Sequence, residues 1–306
     1  MGLFNNIQET IGRTPLVKIN HHPFKERAQI FAKLEYMNPG GSVKDRLGKK
    51  LLEEALRTKK ISPKGTLIEP TAGNTGIGLA LAAIHTDVKV ICVVPEKFSI
   101  EKQMLMKALG AQVIHTPTEK GMEGAIEKAK QLAAEIPDSH IPLQFENKVN
   151  PLTYYETLGP EIVKELDGKV DIFIAGAGSG GTFTGTARFL KEFNKHIKTV
   201  IVEPQGSILN GGVPGPHKTE GIGMEFIPSF INPDYFDKIY TISDEEAFYQ
   251  VKQLARLEGM LVGSSSGAAF AAALKEAENT TKEGANIIVI FPDSSERYLS
   301  KNIYEF

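Results

Sequence analysis

The chain has 306 residues, of which 41% are apolar and 24% charged, and its formal net charge is −2. This composition is ordinary for a globular protein of one large or two modest domains, and the charge gives no reason to expect nucleic acid or a membrane surface as a partner. The single cysteine, Cys92, excludes an intramolecular disulfide and a cysteine-based zinc cluster, and no metal site is predicted. Cys92 lies in an apolar strand-like run, where we expect it to be packed in the core.

The N-terminal residues lack the basic region and apolar stretch that are typical of a signal peptide. No apolar run is long enough to span a membrane. We therefore expect a cytoplasmic protein.

Short β-branched runs alternate with helical patterns along the chain. Strands are predicted at 64–70, 88–95, 111–116, 169–178, 197–204 and 285–293, and helices at, for example, 74–85, 101–110, 124–136 and 267–278. This alternation predicts βαβ units and a largely parallel sheet covered by helices on both faces. The stretch 206–216, rich in Gly and Pro, is predicted to be a long loop.

Lys44 lies in the sequence NPGGSVKDR (38–46), where a Pro-Gly-Gly turn leads into a predicted helix. It could be a solvated residue, although a cation at a helix start opposes the helix dipole. At a turn that lets a ligand approach, its amine could instead form a Schiff base with an aldehyde cofactor. The glycines would then leave room for a flat ring, and Asp45 and Arg46 would be local helix-start and ion-pair residues.

The sequence TAGNTG (71–76) opens the predicted helix that follows the strand at 64–70. Backbone N–H groups at a helix N-terminus attract an anion because they have no intrahelical partner and lie at the positive end of the helix dipole. Asn74 and Thr75 add side-chain donors. The alternative is an asparagine cap with turn glycines.

The sequence GAGSGGTFTG (176–185) follows the predicted strand at 169–178. Gly176, Gly178 and Gly181 match a loose G-x-G-x-x-G pattern, which is weak support for a dinucleotide site with Glu203 near the expected acidic position. The interleaved Ser179 and Thr182 favour a compact phosphate held by N–H and hydroxyl donors.

A third turn, VGSSSGAAF (262–270), places three serines before an Ala-rich helix. These serines could be helix caps, or could offer a neutral hydroxyl to a ligand heteroatom. We expect all three turns to follow strands, so that they could face one site. Pyridoxal phosphate needs three things: a lysine, a phosphate cradle and a partner for its pyridine nitrogen. The sequences NPGGSVKDR, GSGGT (178–182) and GSSSG (263–267) could supply one each.

Five motifs in order resemble the cysteine synthase (O-acetylserine sulfhydrylase) and cystathionine β-synthase family: NPGGSVKDR, EPTAGNTG, AGAGSGGTFTG, EGIGMEFIP and LVGSSSGAA. The resemblance extends from 11–18 to 291–300. It implies a pyridoxal-phosphate enzyme of fold type II, an α/β protein of two domains that each have a largely parallel twisted sheet flanked by helices, as in tryptophan synthase β. A smaller domain at 38–146 would close over the substrate, and 1–37 with 147–306 would form the larger, cofactor-anchoring domain.

The resemblance also implies roles for particular residues. Lys44 would hold the cofactor covalently and later remove the α-proton of the substrate. Asn74 would bond the 3′-oxygen of the cofactor, and Ser265 would face its pyridine nitrogen. The phosphate loop would be Gly178, Ser179, Gly180, Gly181 and Thr182. The substrate would be bound by Thr71, Ala72, Gly73, Asn74, Thr75 and Gln144, together with Gly221 and Glu225.

The implied reaction is β-replacement on O-acetylserine or serine, in which homocysteine gives cystathionine or sulfide gives cysteine, by an enzyme expected to be a homodimer. Ala72 stands where plain cysteine synthases usually carry serine. Glu225 stands where they carry a small residue and cystathionine β-synthases carry an acid, so it could pair with the distal ammonium of homocysteine. The alternative for Glu225 is a solvated loop residue.

Four other functions stay open on the sequence. The chain could be a plain cysteine synthase without homocysteine use, or a serine or threonine dehydratase-like β-eliminase, although its GSGGT loop carries fewer glycines than dehydratases usually do. It could also be a nucleotide-binding dehydrogenase or a non-catalytic binding protein that keeps the fold.

Overall fold

The β-branched runs of the sequence form two separate sheets. The computed structural model describes residues 3–305 except 72 and 225. The strands are β1 (Leu16–Ile19), β2 (Ala28–Leu34), β3 (Thr66–Pro70), β4 (Lys89–Pro95), β5 (Gln112–Thr116), β6 (Ser139–His140), β7 (Ile172–Gly176), β8 (Lys198–Pro204), β9 (Lys238–Ile242) and β10 (Ala285–Phe291). The α-helices are α1 (Lys44–Arg57), α2 (Asn74–Ala83), α3 (Ile100–Ala108), α4 (Gly121–Glu135), α5 (Val149–Glu156), α6 (Leu158–Glu165), α7 (Gly181–Phe193), α8 (Asp244–Gln253) and α9 (Ser264–Asn279).

The chain divides into two compact units. The first unit contains the chain up to Arg13 together with 38–149, and the second contains 14–37 and the chain from Asn150 onward. Each unit has one of the two sheets.

The sheet of the first unit has the strand order β5-β4-β3-β6, and all its pairings are parallel. Helix α4 packs against β3, β4 and β5. Buried Ile, Val, Ala and Leu side chains from these elements form a core that includes Ile68, Val93 and Ala129. Because β3 is buried along its whole length, any polar side chain on it needs a specific reason to be there.

The sheet of the second unit has the order β1-β2-β10-β7-β8-β9. Only β1 runs antiparallel to its neighbour among these described strands. The Ala-rich helix α9 packs against β10, β7 and β8, where its small side chains are almost fully buried.

The predicted α/β fold with two largely parallel sheets is confirmed, as is the burial of Cys92. One expectation is wrong: the serine turn at 262–270 does not follow a strand, because Val262 makes only an isolated antiparallel bridge with Ser294. Within the described residues, every helix is too short or too polar to cross a membrane.

Candidate active site

Lys44 is the first residue of α1, as predicted. The turn before it is held by Asp45, whose carboxylate accepts a hydrogen bond from the backbone N–H of Gly40 at 2.5 Å. A Cβ on Gly40 would lie 2.5 Å from Oδ1 of Asp45, so this glycine makes room for the carboxylate. Arg46 donates to the carbonyl of Gly12 at 3.2 Å. The structure thus gives Asp45 a local role in shaping the turn, whereas Arg46 ties α1 to the N-terminal segment.

The amine of Lys44 lies in an environment that disfavours its charge. Its side chain is partly exposed, so a ligand can reach it, yet the surrounding protein lowers the pKa of Lys44 to about 8 by desolvation. The negative charge of Glu69 acts in the opposite direction. A lysine with a lowered pKa has more free amine near neutral pH, as a nucleophile for an aldehyde requires.

The TAGNTG loop joins β3 to α2 in the same unit. Gly73 precedes the helix with a φ of 139°, and its N–H donates to the hydroxyl of Thr71 at 3.0 Å. The hydroxyl of Thr75 donates to Oε1 of Gln144 at 2.9 Å, and both side chains are buried. The structure therefore brings Thr71, Gly73, Asn74, Thr75 and Gln144 together at the helix N-terminus, where a carboxylate would be favoured.

Ala72 belongs to the same predicted set but lies outside the described residues.

The predicted phosphate loop (178–182) joins β7 to α7 in the second unit. Gly180, in the left-handed region with a φ of 80°, caps the helix, which begins at Gly181. The buried hydroxyl of Ser179 accepts a hydrogen bond from the amide of Asn150 at 3.0 Å. A Cβ on Gly181 would lie 1.9 Å from Oδ1 of Asn150, and one on Gly178 would lie 2.4 Å from the carbonyl oxygen of Gly221. The loop is therefore closely packed around the N-terminus of the 13-residue helix α7. A helix N-terminus is a favourable position for a phosphate.

The remaining predicted residue of this loop, Thr182, lies in the first turn of α7.

Ser265 lies in the first turn of α9 and is 2% exposed. The helix cap is Gly263, so the three serines are not caps. The hydroxyl of Ser264 accepts from the backbone N–H of Glu220 at 3.0 Å, which fixes the loop carrying Gly221. A Cβ on Gly221 would lie 3.9 Å from Oγ of Ser265, so these two predicted residues lie close together. Glu225, from the same loop, lies outside the described residues.

Glu203 does not serve the dinucleotide site that the glycine pattern allowed. Its carboxylate is 1% exposed. It accepts hydrogen bonds from the backbone N–H groups of Leu209 and Asn210, at 2.9 and 3.1 Å, and from the hydroxyl of Thr241 at 3.0 Å. It therefore anchors the start of the 206–216 loop.

Sequence reasoning missed two residues of the candidate site, Glu69 and Asn150. Glu69 had a visible signal, because a charged residue stands inside the otherwise apolar strand TLIEP. Asn150 had none, since its role depends on packing beneath the phosphate loop, 29 residues further along the chain.

The residues present fit pyridoxal phosphate by their chemistry. The chain offers a lysine amine with a lowered pKa, and separately a glycine-rich helix N-terminus with a buried hydroxyl. A second buried hydroxyl, that of Ser265, can face a ring nitrogen without bringing a charge to it.

A lysine of this kind and a phosphate-type loop on parallel α/β sheets are features expected of one fold type of pyridoxal-phosphate enzymes. The chain belongs to that family, since the family model described as pyridoxal-phosphate dependent enzyme matches residues 7–293. The protein is therefore a PLP-dependent enzyme.

Three relatives illustrate the similarity. The chain is 59% identical over 305 residues to an O-acetylserine dependent cystathionine beta-synthase of Bacillus subtilis, covering 100% of this chain and 99% of the relative. It is 58% identical over 306 residues to a cysteine synthase of Helicobacter pylori, covering 99% of this chain and 100% of the relative. The crystal structure of an O-acetylserine dependent cystathionine beta-synthase from H. pylori matches with a TM-score of 0.94 and 58% identity, covering 99% of this chain and 100% of that one.

Proposed function

We propose that this enzyme catalyses β-replacement on O-acetylserine with a sulfur nucleophile, so that homocysteine gives cystathionine and sulfide gives cysteine. The full-length similarity to relatives named for these activities supports the proposal. Serine is a second possible donor.

The observation that carries the proposal is the close contact of Lys44 with Gly78, the fifth residue of α2. Helices α1 and α2 pack closely, and a Cβ on Gly78 would lie 2.4 Å from the carbonyl oxygen of Lys44. The amine and the donors of the 71–75 loop therefore belong to one rigidly packed part of the first unit. That arrangement suits a residue that moves a proton at the α-carbon of an amino acid whose carboxylate the loop holds.

In this proposal each residue of the site has a separate role. PLP, when bound, would supply an electron-withdrawing ring that makes the α-proton of the substrate acidic. Lys44 would hold the cofactor covalently and, once the substrate amine has replaced it there, would take the α-proton at its Nζ atom. The 71–75 loop and Gln144 bind the substrate carboxylate, and Asn74 also bonds the 3′-oxygen of the ring. The loop at 178–182 binds the phosphate, and Ser265 faces the ring nitrogen.

Ser265 is neutral, and its lack of charge favours loss of the β-substituent over return of the α-proton. A hydroxyl leaves the ring nitrogen less positive than a carboxylate partner would, so negative charge at the α-carbon is stabilised less. Loss of the β-substituent then competes well with return of the proton.

Glu225 would select the nucleophile, and Gly221 would leave space for it. A carboxylate there would slightly repel the hydrosulfide anion and attract the distal ammonium of homocysteine. This difference separates a dual enzyme from a plain cysteine synthase. A homodimer located in the cytoplasm and a smaller closing domain at 38–146 remain part of the proposal.

The visible colour of the purified protein tests the proposal. The wild type should absorb in the near-visible range because Lys44 binds the cofactor covalently, and Lys44→Ala should lose this band while it still binds free PLP through the phosphate loop. Lys49→Ala, which removes an exposed lysine five residues later on α1, is the control and should keep the band. A wild-type protein that stays colourless with added PLP, or an unchanged band in Lys44→Ala, would contradict the proposal.

A further inference from the structure

Glu69 is a buried carboxylate that the proposed reaction does not use. It lies on β3, an inner strand of the sheet of the first unit, and is 0% exposed. Neither of its oxygens accepts a hydrogen bond of ordinary geometry from a described residue, although the Gln144 side chain is near enough to lower its pKa. A buried ionised carboxylate in this state is costly unless a positive charge lies nearby.

The groups that face Glu69 identify that positive charge. On β4 its register partner is Cys92, which is also 0% exposed. Burial, and to a lesser extent the charge of Glu69, raises the pKa of the Cys92 thiol, so the thiol is neutral. Gln144 is uncharged. Lys44, from α1, is the cation whose charge interacts with that of Glu69.

Helix α2 packs against both Lys44 and the strand pair that carries Glu69. A Cβ on Gly78 would lie 2.4 Å from the carbonyl oxygen of Lys44, and one on Gly76 would lie 2.8 Å from Sγ of Cys92, the register partner of Glu69. Gly48 and Gly78 let α1 and α2 approach backbone to backbone, since a Cβ on Gly48 would lie 2.1 Å from the carbonyl carbon of Gly78. Helix α2 begins five residues after Glu69. Lys44 and Glu69 thus lie on two elements that pack against the start of α2, and the charge of each acts on the other.

We propose that Glu69 is the proton partner of Lys44, a positioning residue that acts through the lysine and does not touch the substrate. This inference rests on the proposed role of Lys44 as the covalent anchor of PLP.

The proton balance explains what the pair achieves. An ammonium with a carboxylate has the same net charge and the same number of protons as an amine with a carboxylic acid. One proton moves from Nζ of Lys44 to a carboxylate oxygen of Glu69, and the buried region stays neutral. Lys44 therefore becomes a free amine, able to attack an aldehyde, without a proton passing to solvent.

The pKa values agree with such a pair. Burial raises the pKa of Glu69 to about 8, against the opposing effects of Lys44 and Gln144, and burial lowers the pKa of Lys44 to about 8. The two groups therefore compete for protons in the same pH range, and they titrate as a pair.

The titration of Lys44 tests the proposal in the full-length chain after PLP has been removed. The extent of acetylation of Lys44 by a brief pulse of acetic anhydride is measured by peptide mass spectrometry across pH, in the wild type, Glu69→Gln and Glu69→Asp. In Glu69→Gln the attraction to the ammonium is gone, so half-reaction should move to a pH lower by about one to three units. Glu69→Asp keeps the charge and should stay near the wild type.

Glu35→Gln is the matched control. Glu35 is also 0% exposed but belongs to the second unit, where the hydroxyl of Thr14 donates to it at 2.6 Å. Its variant should leave the titration of Lys44 unchanged. Equal titration curves for the wild type and Glu69→Gln would overturn the proposal.

A second measurement needs only the wild type, in case Glu69→Gln does not fold. Infrared spectroscopy of the PLP-free protein should show a protonated carboxyl band that persists above pH 6 and is lost as Lys44 titrates. The absence of such a band overturns the inference. Both readouts are independent of PLP, so they separate this inference from the proposed function, which fails if Lys44→Ala keeps the visible band.

Discussion

Gly48 of α1 and Gly78 of α2 pack backbone to backbone, and a Cβ on Gly48 would lie 2.1 Å from the Gly78 carbonyl carbon. In an open helix, Gly→Ala stabilises by up to about 1 kcal/mol. Here we expect Gly48→Ala to lower the free energy of unfolding by about 1–3 kcal/mol, because the neighbouring backbone must move. Urea unfolding followed by circular dichroism measures this change. The exposed Lys49→Ala should stay within about 0.5 kcal/mol of the wild type, and a stabilised Gly48→Ala protein would contradict the packing.

Gly181→Ala should weaken PLP binding. The new Cβ would lie 1.9 Å from Oδ1 of Asn150, so the loop must shift. Its N–H groups would then no longer point toward the phosphate. We expect a dissociation constant about tenfold higher, equivalent to about 1.4 kcal/mol. Fluorescence titration with PLP checks this.

Gly211→Ala is the control for this measurement. Gly211 also has a positive φ, of 75°, but its Cβ would meet no atom within 4 Å, so PLP affinity should not change. The double variant Gly181→Ala with Asn150→Ala should recover part of the affinity, because the smaller side chain makes room. Unchanged affinity in Gly181→Ala alone would show that the loop does not hold the phosphate.

Glu225→Ala should change the choice of nucleophile. Loss of a charge-assisted hydrogen bond costs about 1.5–3 kcal/mol, so we expect kcat/KM for homocysteine to fall at least about tenfold while the value for sulfide holds or rises slightly. Turnover of O-acetylserine with each nucleophile measures the two values. Glu245→Ala, which removes an exposed carboxylate on α8, should change neither. Equal turnover of homocysteine in the wild type and Glu225→Ala would exclude Glu225 as the selecting residue.

The Glu69 and Lys44 pair predicts a distinctive dependence of stability on pH in the PLP-free protein. Burial raises the pKa of Glu69 from its usual 4.5 to about 8, so the folded state keeps a proton that the unfolded state has lost, and stability falls as pH rises through this range. Burial lowers the pKa of Lys44 from 10.5 to about 8, so between these values the unfolded state holds the extra proton and stability rises with pH. The contribution of the pair is therefore smallest near pH 8.

Urea unfolding from pH 5 to pH 10 tests this profile. In Glu69→Gln the falling limb below pH 8 should be weakened relative to the wild type, because glutamine does not titrate. A falling limb of the same slope in both proteins would mean that other groups cause it.

Cys92 should report on unfolding of the first unit. It is 0% exposed, and burial raises the pKa of its thiol, so a thiol reagent should react with it only after the sheet opens. The reaction rate in increasing urea should follow the loss of β-sheet signal. Rapid reaction in the native protein would contradict the burial of β4.

Much of the fold follows from local patterns. The β-branched runs that become β3, β4, β7, β8 and β10 were predictable because strands buried on both faces are largely apolar. The edge strand β5 is mostly partly exposed, and its β-branched residues alone predicted it. The edge pairing of β1 with β2 was not predicted, since Leu16–Ile19 is a short run whose partner is chosen by tertiary contact.

The sequence likewise predicted some residues of the candidate site and not others. Lys44, the 71–75 loop and the 178–182 loop carry motifs in which each residue type has a chemical reason to be present. The serine turn was predicted to follow a strand, but an isolated bridge at Val262 takes that place. Helix capping explained the serines equally well until the structure placed the cap at Gly263.

The sequence by itself determined the class of fold, the lysine and the two glycine-rich loops, because strand periodicity and turn chemistry are local properties of the chain. Only the tertiary structure decided that the charges of Glu69 and Lys44 interact, that Asn150 supports Ser179, and that Glu203 anchors a loop and does not serve a dinucleotide site. These relationships join residues far apart in the chain, and their energies come from desolvation and close packing, which exist only once the units have folded.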